Sequence, residues 1–434
     1  DLGYDDVLDD YVLTENISVV TNLDVGSKEI SDLTGIEAFT ALTSLTCVFN
    51  DLTSLDLSSN TALTTLSCNH NQLTNLDVSA NTALTYLGCY DNQLTSLDVS
   101  ANTALTELNC FVNQLTSLDV STNTALTSLD CNSNQLTNLD VSNNTALTYL
   151  HCAENQLTSL DVSANTALTY LACQDNQLAS LDVSANTALT FLNVEGSNQL
   201  TSLDVSSNTA LTELHCYNNE LTSLDVSSNT ALNYLSCPDN QLTSLDVSAN
   251  TALTHLEAHN NQLTVLDVSA NTALTILWSD GNPLTNLDVS NNTALTFLHC
   301  ENNQLTSLDV SNNTALTYIN CASNQLTNLD VGSNTALAQL KCYYNQLTSL
   351  DLSSNTALTK LQCYGNQLTY LNMKNGLTDQ LSTFNATGNS SLTCIETLDP
   401  DYATANWTYA NGNIDAGVTF ADICYASNPS YTYV

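Results

Sequence analysis

The sequence predicts an all-β-rich solenoid of about 16 turns, each turn carrying two short parallel strands, with a cap at either end. Three observations carry that expectation. A 21-residue unit recurs across residues 25–372, every unit splits into two half-repeats of the same spacing, and apolar residues alternate with polar ones inside each half.

One unit reads LTYLGCYDNQLTSLDVSANTA, from Leu84 to Ala104. Sixteen turns align on one column, from Cys47, Cys68 and Cys89 to Cys342 and Cys363. One turn is a residue longer: Val194 stands in the cysteine column, and the extra residue falls in Glu195-Gly196-Ser197. Within a unit, Leu84-x-x-Leu87-x-Cys89-x-x-Asn92 is echoed by Leu94-x-x-Leu97-x-Val99-x-x-Asn102. The alternation at Leu87-Gly88-Cys89 and Leu97-Asp98-Val99 is the period of a half-buried strand. Neither half is long enough for an ordinary helix. Leucines, Val99, Cys89 and Ala104 should point inward and share one apolar core with the neighbouring turns. The asparagine that follows each cysteine strand recurs in all sixteen turns, from Asn50 to Asn366. A buried amide at a bend satisfies backbone groups of its own coil and of the next, so this column reads as a structural ladder.

LxxLxCxxNxLxxLDVSxN resembles the 21-residue leucine-rich repeats of the internalin J family of secreted bacterial surface proteins. The motif covers about four-fifths of the chain, and its cysteine and Leu-Asp positions are specific. The resemblance implies a solenoid, placement outside the cell or on its surface, and a part in adhesion or recognition, with no catalytic residues to carry over. Family members carry a signal peptide and a sorting domain. Neither is recognised here, so the chain is expected to be trimmed and its anchoring is open.

Composition narrows the function classes. Four lysines (Lys28, Lys341, Lys360, Lys374), no arginine and 44 acidic residues give a formal charge of −40. Nucleic acid and anionic lipid bind through cationic contacts, so both are excluded as partners. No apolar run reaches the roughly 18–20 residues of a membrane span. Thirteen of the fifteen cysteines fall in the inward column. Their Cβ atoms should lie about 4.8 Å apart, beyond disulfide reach, so they read as buried free thiols that pack as small apolar groups. A metal ladder would need tetrahedral pockets that a one-sided row does not offer. Cys394 and Cys424 lie beyond the repeats, where a disulfide would close a loop around Trp407 and staple the end of the chain in an oxidising compartment.

The expected domains are an N-terminal cap at residues 1–24, the solenoid at 25–372, and a C-terminal cap and tail at 373–434. Such caps cover the apolar ends that a solenoid would otherwise expose.

The LDVSANTALT half hardly varies, whereas the positions three before, one before, one after and two after each cysteine change freely. All six histidines fall in those columns, as do Trp278 and most aromatics. Exposed rings on a rigid sheet are good anchors for a protein or a sugar, although outward Tyr and Phe also serve plain cross-strand packing. The sharpest patch surrounds Ala258 and Ser279, which interrupt the cysteine column. Its ligand-binding candidates are Tyr217, Tyr234, His255, Glu257, His259, Trp278, Asp280, Phe297, His299 and Glu301. Histidine and glutamate two apart could also hold a metal, but nothing fixes a third ligand.

A second array is acidic: Asp56, Asp77, Asp98 and their equivalents through Asp351, with Asp24 expected to precede them. Hydrogen bonds from neighbouring Ser and Thr would compensate the repulsion; calcium bridging successive carboxylates is the alternative. No cofactor is otherwise implied. With no Gly-rich phosphate loop, HExxH or GxSxG, the sequence gives no enzyme signal. The expected function is a monomeric extracellular adhesion module that binds a protein or glycan along the variable strands. The alternatives are a spacer that displays another domain and a calcium-dependent surface-layer or biofilm component. Ice binding is disfavoured because the recurring threonines (Thr95, Thr103, Thr106) sit at bends.

Overall fold

The computed structural model describes residues 12–196 and 198–424; the acidic run at 5–11 and the tail at 426–434 lie outside the described residues. The chain divides into two compact units, Asp1–Leu211 with Asn218–Glu220, and Thr212–Tyr217 with Leu221–Val434.

In each unit the cysteine half of every turn forms a three-residue strand. These run from Asn22–Asp24 to Phe191–Asn193 in the first unit and from Glu213–His215 to Thr383–Asn385 in the second. Successive strands pair parallel and in register: Thr65, Leu66 and Ser67 lie beside Tyr86, Leu87 and Gly88, and Ile276, Leu277 and Trp278 beside Phe297, Leu298 and His299. Register cannot slip, because a one-residue shift would carry every buried leucine to solvent.

Counted by these strands there are 18, against sixteen turns aligned in the sequence. The two additional strands, Asn22–Asp24 and Thr383–Asn385, lack the consensus but keep a buried Leu23 and Phe384 in the leucine column. The sheet thus passes both expected domain boundaries. It also reassigns Asp24, which pairs beside Thr46 on the cysteine face and does not precede Asp56 on the other. Backbone pairing, with Leu23 opposite Leu45, overrides the local Leu-Asp-Val resemblance.

The second strand of each turn is a further difference. Among the described residues, regular strand on the Leu-Asp-Val side is confined to Ser349–Asp351, Tyr370–Asn372, Cys394–Glu396 and Thr419–Ala421. The aspartates supply a reason. Asp77 Oδ1 accepts the Ser79 amide at 2.9 Å, and Asp98 accepts that of Ser100 at the same distance. This turn, closed by the side chain, bends the backbone immediately after the apolar pair.

Two asparagine ladders tie the coils together. Buried Asn92 donates to the carbonyls of Cys68, Cys89 and Tyr90 at 3.1, 3.1 and 3.3 Å, and its Oδ1 accepts the Leu73 amide at 2.9 Å. One side chain thereby joins two coils, as the sequence column suggested. The second ladder uses the asparagine of the other half: Asn81 Nδ2 donates to Leu57 O and Asn60 O at 3.0 and 2.9 Å. At the bends, Thr106 Oγ1 donates to Thr85 O at 3.0 Å, which gives the recurring threonines a structural role.

The thirteen ladder cysteines are free and buried. Cys47 and Cys237 donate their thiols to the Ser67 and Glu257 carbonyls of the next coil at 3.6 and 3.5 Å. Ser279 makes the equivalent bond to His299 O at 3.4 Å, so a hydroxyl continues the ladder where sulfur is missing. In the longer turn, Gly196 takes a φ of 88°, and Asn198 resumes the ladder by accepting the Leu178 amide at 3.0 Å.

At the C-terminal end, Cys394 and Cys424 form a disulfide. Trp407 stacks on Phe384, with centroids 4.2 Å apart, and covers the last apolar coil. The helix before it, Pro400–Asn406, is capped by Asp399, which accepts the Tyr402 amide at 2.9 Å. Lys374 compensates the buried Glu396 carboxylate at 3.0 Å. At the other end, a short helix, Thr14–Ile17, precedes the first strand.

Candidate functional site

Every outward column on the cysteine face presents side chains of adjacent coils one above another. Flat rings in such columns stack face to face. In the first unit Tyr149, Tyr170 and Phe191 form one stack, with centroid spacings of 4.4 Å and interplanar angles of 13° and 4°. Tyr90 lies on Phe111 at 4.1 Å, and Phe49 on His70 at 4.0 Å. The second unit holds two clusters that account for nine of the ten candidates.

In the first cluster, His215, Tyr234 and His255 stack at successive spacings of 4.7 Å. Tyr234 Oη and Ser236 Oγ donate to the two oxygens of Glu257 at 3.2 and 3.0 Å. His255 Nε2 lies 3.7 Å from that carboxylate. Burial lowers the His255 pKa, and the charge of Glu257 only partly opposes it, so the ring favours its neutral form.

In the second cluster, Trp278, Phe297 and Tyr318 stack at 5.1 and 4.3 Å. His259 leans against Trp278 from the preceding coil at 5.6 Å, and His299 meets it edge-on at 5.0 Å. Lys341 Nζ lies 5.6 Å from the Tyr318 ring and closes that end of the stack. Beside the rings, Asn320 donates to Glu301 Oε2 at 2.6 Å, Tyr343 donates to Oε1 at 2.7 Å, and His299 Nε2 lies 3.3 Å from Oε2. Burial pushes the Glu301 carboxyl up, but the hydrogen bonds from Tyr343, Asn320 and His299, with the His299 charge, outweigh it and hold the group below the ordinary glutamate value. Asp280 behaves oppositely. Burial raises its pKa against the pull of His299 and His259, and its Oδ1 lies 3.6 Å from His299 Nδ1.

Tyr217, the tenth candidate, occupies the same face and is half-exposed. Sequence reading did not pick out Asn320, Ser236, Tyr318, Tyr343 and Lys341 as members of these clusters. The signal was available for Tyr343, which stands in the column of Glu301, 42 residues on.

One variable column has a second meaning. The position two after the cysteine is left-handed in turn after turn, with φ near 50° at Phe49, His70, Asp91, Val112, Ser133, Asn260 and Tyr344. Asn, Asp and Gly recur there because they tolerate that conformation. Variation in this column was read as recognition, whereas much of it answers a backbone demand. Phe49, Val112 and Tyr344 are the departures: bulky, left-handed, and 55%, 42% and 59% exposed.

On the opposite side, the Asp56, Asp77 and Asp98 carboxyls are lowered by hydrogen bonds from their own Ser58, Ser79 and Ser100. Among the described residues, no group of three His, Cys, Asp or Glu side chains is arranged to hold a metal ion. No helix among them is long and apolar enough to cross a membrane.

A solved structure titled as the functional domain of InlJ from Listeria monocytogenes, which includes a cysteine ladder, is 44% identical to this chain. It covers 78% of this chain and 75% of its own, with a TM-score of 0.75. The chain belongs to the internalin J family of leucine-rich-repeat proteins. The curated Internalin J of Listeria monocytogenes serotype 4b (strain F2365) is 45% identical over 51 residues, which are 12% of this chain and 6% of that relative. A family model described as LVIVD repeat matches residues 158–194 and 258–279. The fold extends to InlF of the same organism, at 24% identity, a TM-score of 0.59 and coverage of 73% of this chain and 90% of that one. It also extends to the Leptospira interrogans leucine-rich-repeat protein LIC12759, at 23% identity, a TM-score of 0.66 and coverage of 82% and 92%. This internalin J family chain shares with the InlJ domain both the 21-residue coil and the buried thiol row.

Proposed function

We propose that this internalin J family chain is an extracellular recognition and adhesion module, secreted or displayed on a bacterial surface, that takes its ligand on the variable strand face. The observation that carries the proposal is the Trp278–Phe297–Tyr318 stack beside Glu301, a half-exposed aromatic and anionic surface already held in place by Asn320, Tyr343 and His299. Groups ordered before binding cost less entropy on association, and a buried-edged aromatic cluster is the usual composition of an energetic anchor.

The chemistry of this patch favours a protein ligand over a sugar. Stacking spends the ring faces on one another, so the rings turn their edges to solvent. Between Lys28 and Lys341 the chain has no lysine or arginine, and Glu301 stays ionised. A partner surface with basic groups around an apolar centre fits both features. The module acts as a monomer and needs no cofactor in this reading. Calcium along the Asp56–Asp351 column is the alternative, and dependence of binding on calcium would favour it.

The competing reading is a spacer, suggested by the monotony of the LDVS half. Excising residues 258–299 removes two whole 21-residue coils and keeps the register. A recognition module loses binding to its extracellular ligand after this deletion but keeps it when 110–151 are removed. A spacer tolerates both.

A further inference from the structure

Tyr86 does not follow the stacking rule of its face. Its in-register neighbours are Thr65 before and Glu107 after, so neither adjacent coil brings a ring to its column. The ring instead lies along its own strand, over Gly88. A Cβ placed on Gly88 would come within 2.9 Å of Tyr86 Oη and 3.2 Å of its Cε1. The tyrosine ring therefore fills the space of the missing side chain. Gly88 is buried even though its column points outward, while Tyr86 itself stays half-exposed. One ring face rests on the sheet and the other looks outward. Among the sixteen aligned turns, Gly88 is the single glycine in the column before the cysteine, so no other turn can lay a ring flat in this way.

We infer that Tyr86, laid flat by Gly88, is a platform for the apolar face of a neutral sugar ring. A pyranose turns a patch of C–H bonds to one side, and the electron-rich face of an aromatic ring attracts them. A flat outward ring offers that face; the edge-on stacks elsewhere do not. Polar groups for the hydroxyls of a sugar lie in the adjoining columns. Glu107 Oε1 accepts from Asn109 Nδ2 at 2.9 Å, an ordered acceptor and donor pair on the next coil. Ser67 adjoins Gly88 on the preceding one. The absence of any lysine or arginine between Lys28 and Lys341 restricts the class to uncharged sugars, since a carboxylate or sulfate would find no counter-charge. The inference rests on the strand face being a recognition surface, but it concerns the N-terminal unit and does not depend on the Trp278 patch.

The test is saturation-transfer NMR and titration with methyl galactoside and methyl glucoside, with N-acetylneuraminic acid as the charged control. The wild-type chain should bind a neutral glycoside with an affinity in the millimolar range and should bind the acidic sugar more weakly. Tyr86→Ala and Gly88→Ala should each weaken that binding at least tenfold, the second by pushing the ring off the sheet, while Tyr86→Phe keeps the ring and the binding. Trp278→Ala should leave it unchanged. Melting curves are compared throughout; Gly88 has no left-handed φ, so alanine there should fold normally. No transfer to either neutral glycoside, or binding that survives Tyr86→Ala and Gly88→Ala, overturns the inference. Loss of binding in Trp278→Ala alone would instead place the sugar on the other patch.

Discussion

Tyr343 reaches across two coils to donate its hydroxyl to Glu301 at 2.7 Å. Because Asn320 holds the other oxygen at 2.6 Å from the coil between them, three turns of the solenoid converge on one carboxylate. The arrangement fixes a charge at the edge of the Trp278 stack and makes that charge sensitive to pH.

Glu301 titrates below its ordinary value in the folded chain, so as pH falls the unfolded chain binds this proton first. The stabilisation is complete above the ordinary glutamate value and is lost as pH falls through the lower folded one. Glu301→Gln should therefore lower the melting temperature at neutral pH and flatten its decline in acid. Thermal melts between neutral and strongly acidic pH would show this; parallel curves for the two proteins would contradict it.

Asn92 bonds three carbonyls and one amide from a buried position. Asn92→Ala leaves those groups without partners and should cost about 3 kcal/mol, measured as a fall in the urea midpoint. A loss of only about 0.5 kcal/mol, typical of a surface substitution, would mean that the ladder is dispensable.

The thiol row should be chemically silent. Burial raises the Cys47, Cys173, Cys237, Cys321 and Cys363 thiols to about 12, and raises Cys68, Cys89 and Cys300 further in the same direction. Since the thiolate is the reactive form, a thiol reagent should modify none of the thirteen free cysteines in the native chain and all of them in denaturant. Rapid native labelling would show that coils open locally.

Val112 is a β-branched residue with a φ of 50° and 42% exposure. Val112→Asn relieves the strain and should raise stability by about 1 kcal/mol. The same change tests whether the strained side chain serves the recognition face: loss of ligand binding with a gain in stability would show that it does. A stability unchanged or reduced would contradict the strain argument.

The fold was legible because its signal repeats. Leucine spacing, the cysteine column and the asparagine after each strand all pointed to one coil, and the coils stack through those residues. Where the signal is local, the sequence misled. Leu23-Asp24-Val25 resembles the aspartate half yet pairs with Ser44–Thr46, because register is decided by the neighbouring coil. The second strand of each turn was read from alternation alone, which does not show that Asp77 and its equivalents spend themselves on the backbone two residues on. The candidate patch was legible as a face, since outward columns follow from the period. Its internal wiring was not. That Tyr343 meets Glu301, or that Tyr86 lies over Gly88, depends on side-chain direction, which spacing does not encode.

The most direct measurement is binding of the purified chain to an array of extracellular-matrix proteins and glycans, beside a variant carrying His255→Ala, Trp278→Ala and His299→Ala. The account predicts at least one protein ligand whose affinity falls tenfold or more in the variant while its melting curve is unchanged. Binding that is equal in both proteins, or absent from both, would contradict a recognition site at the Trp278 stack.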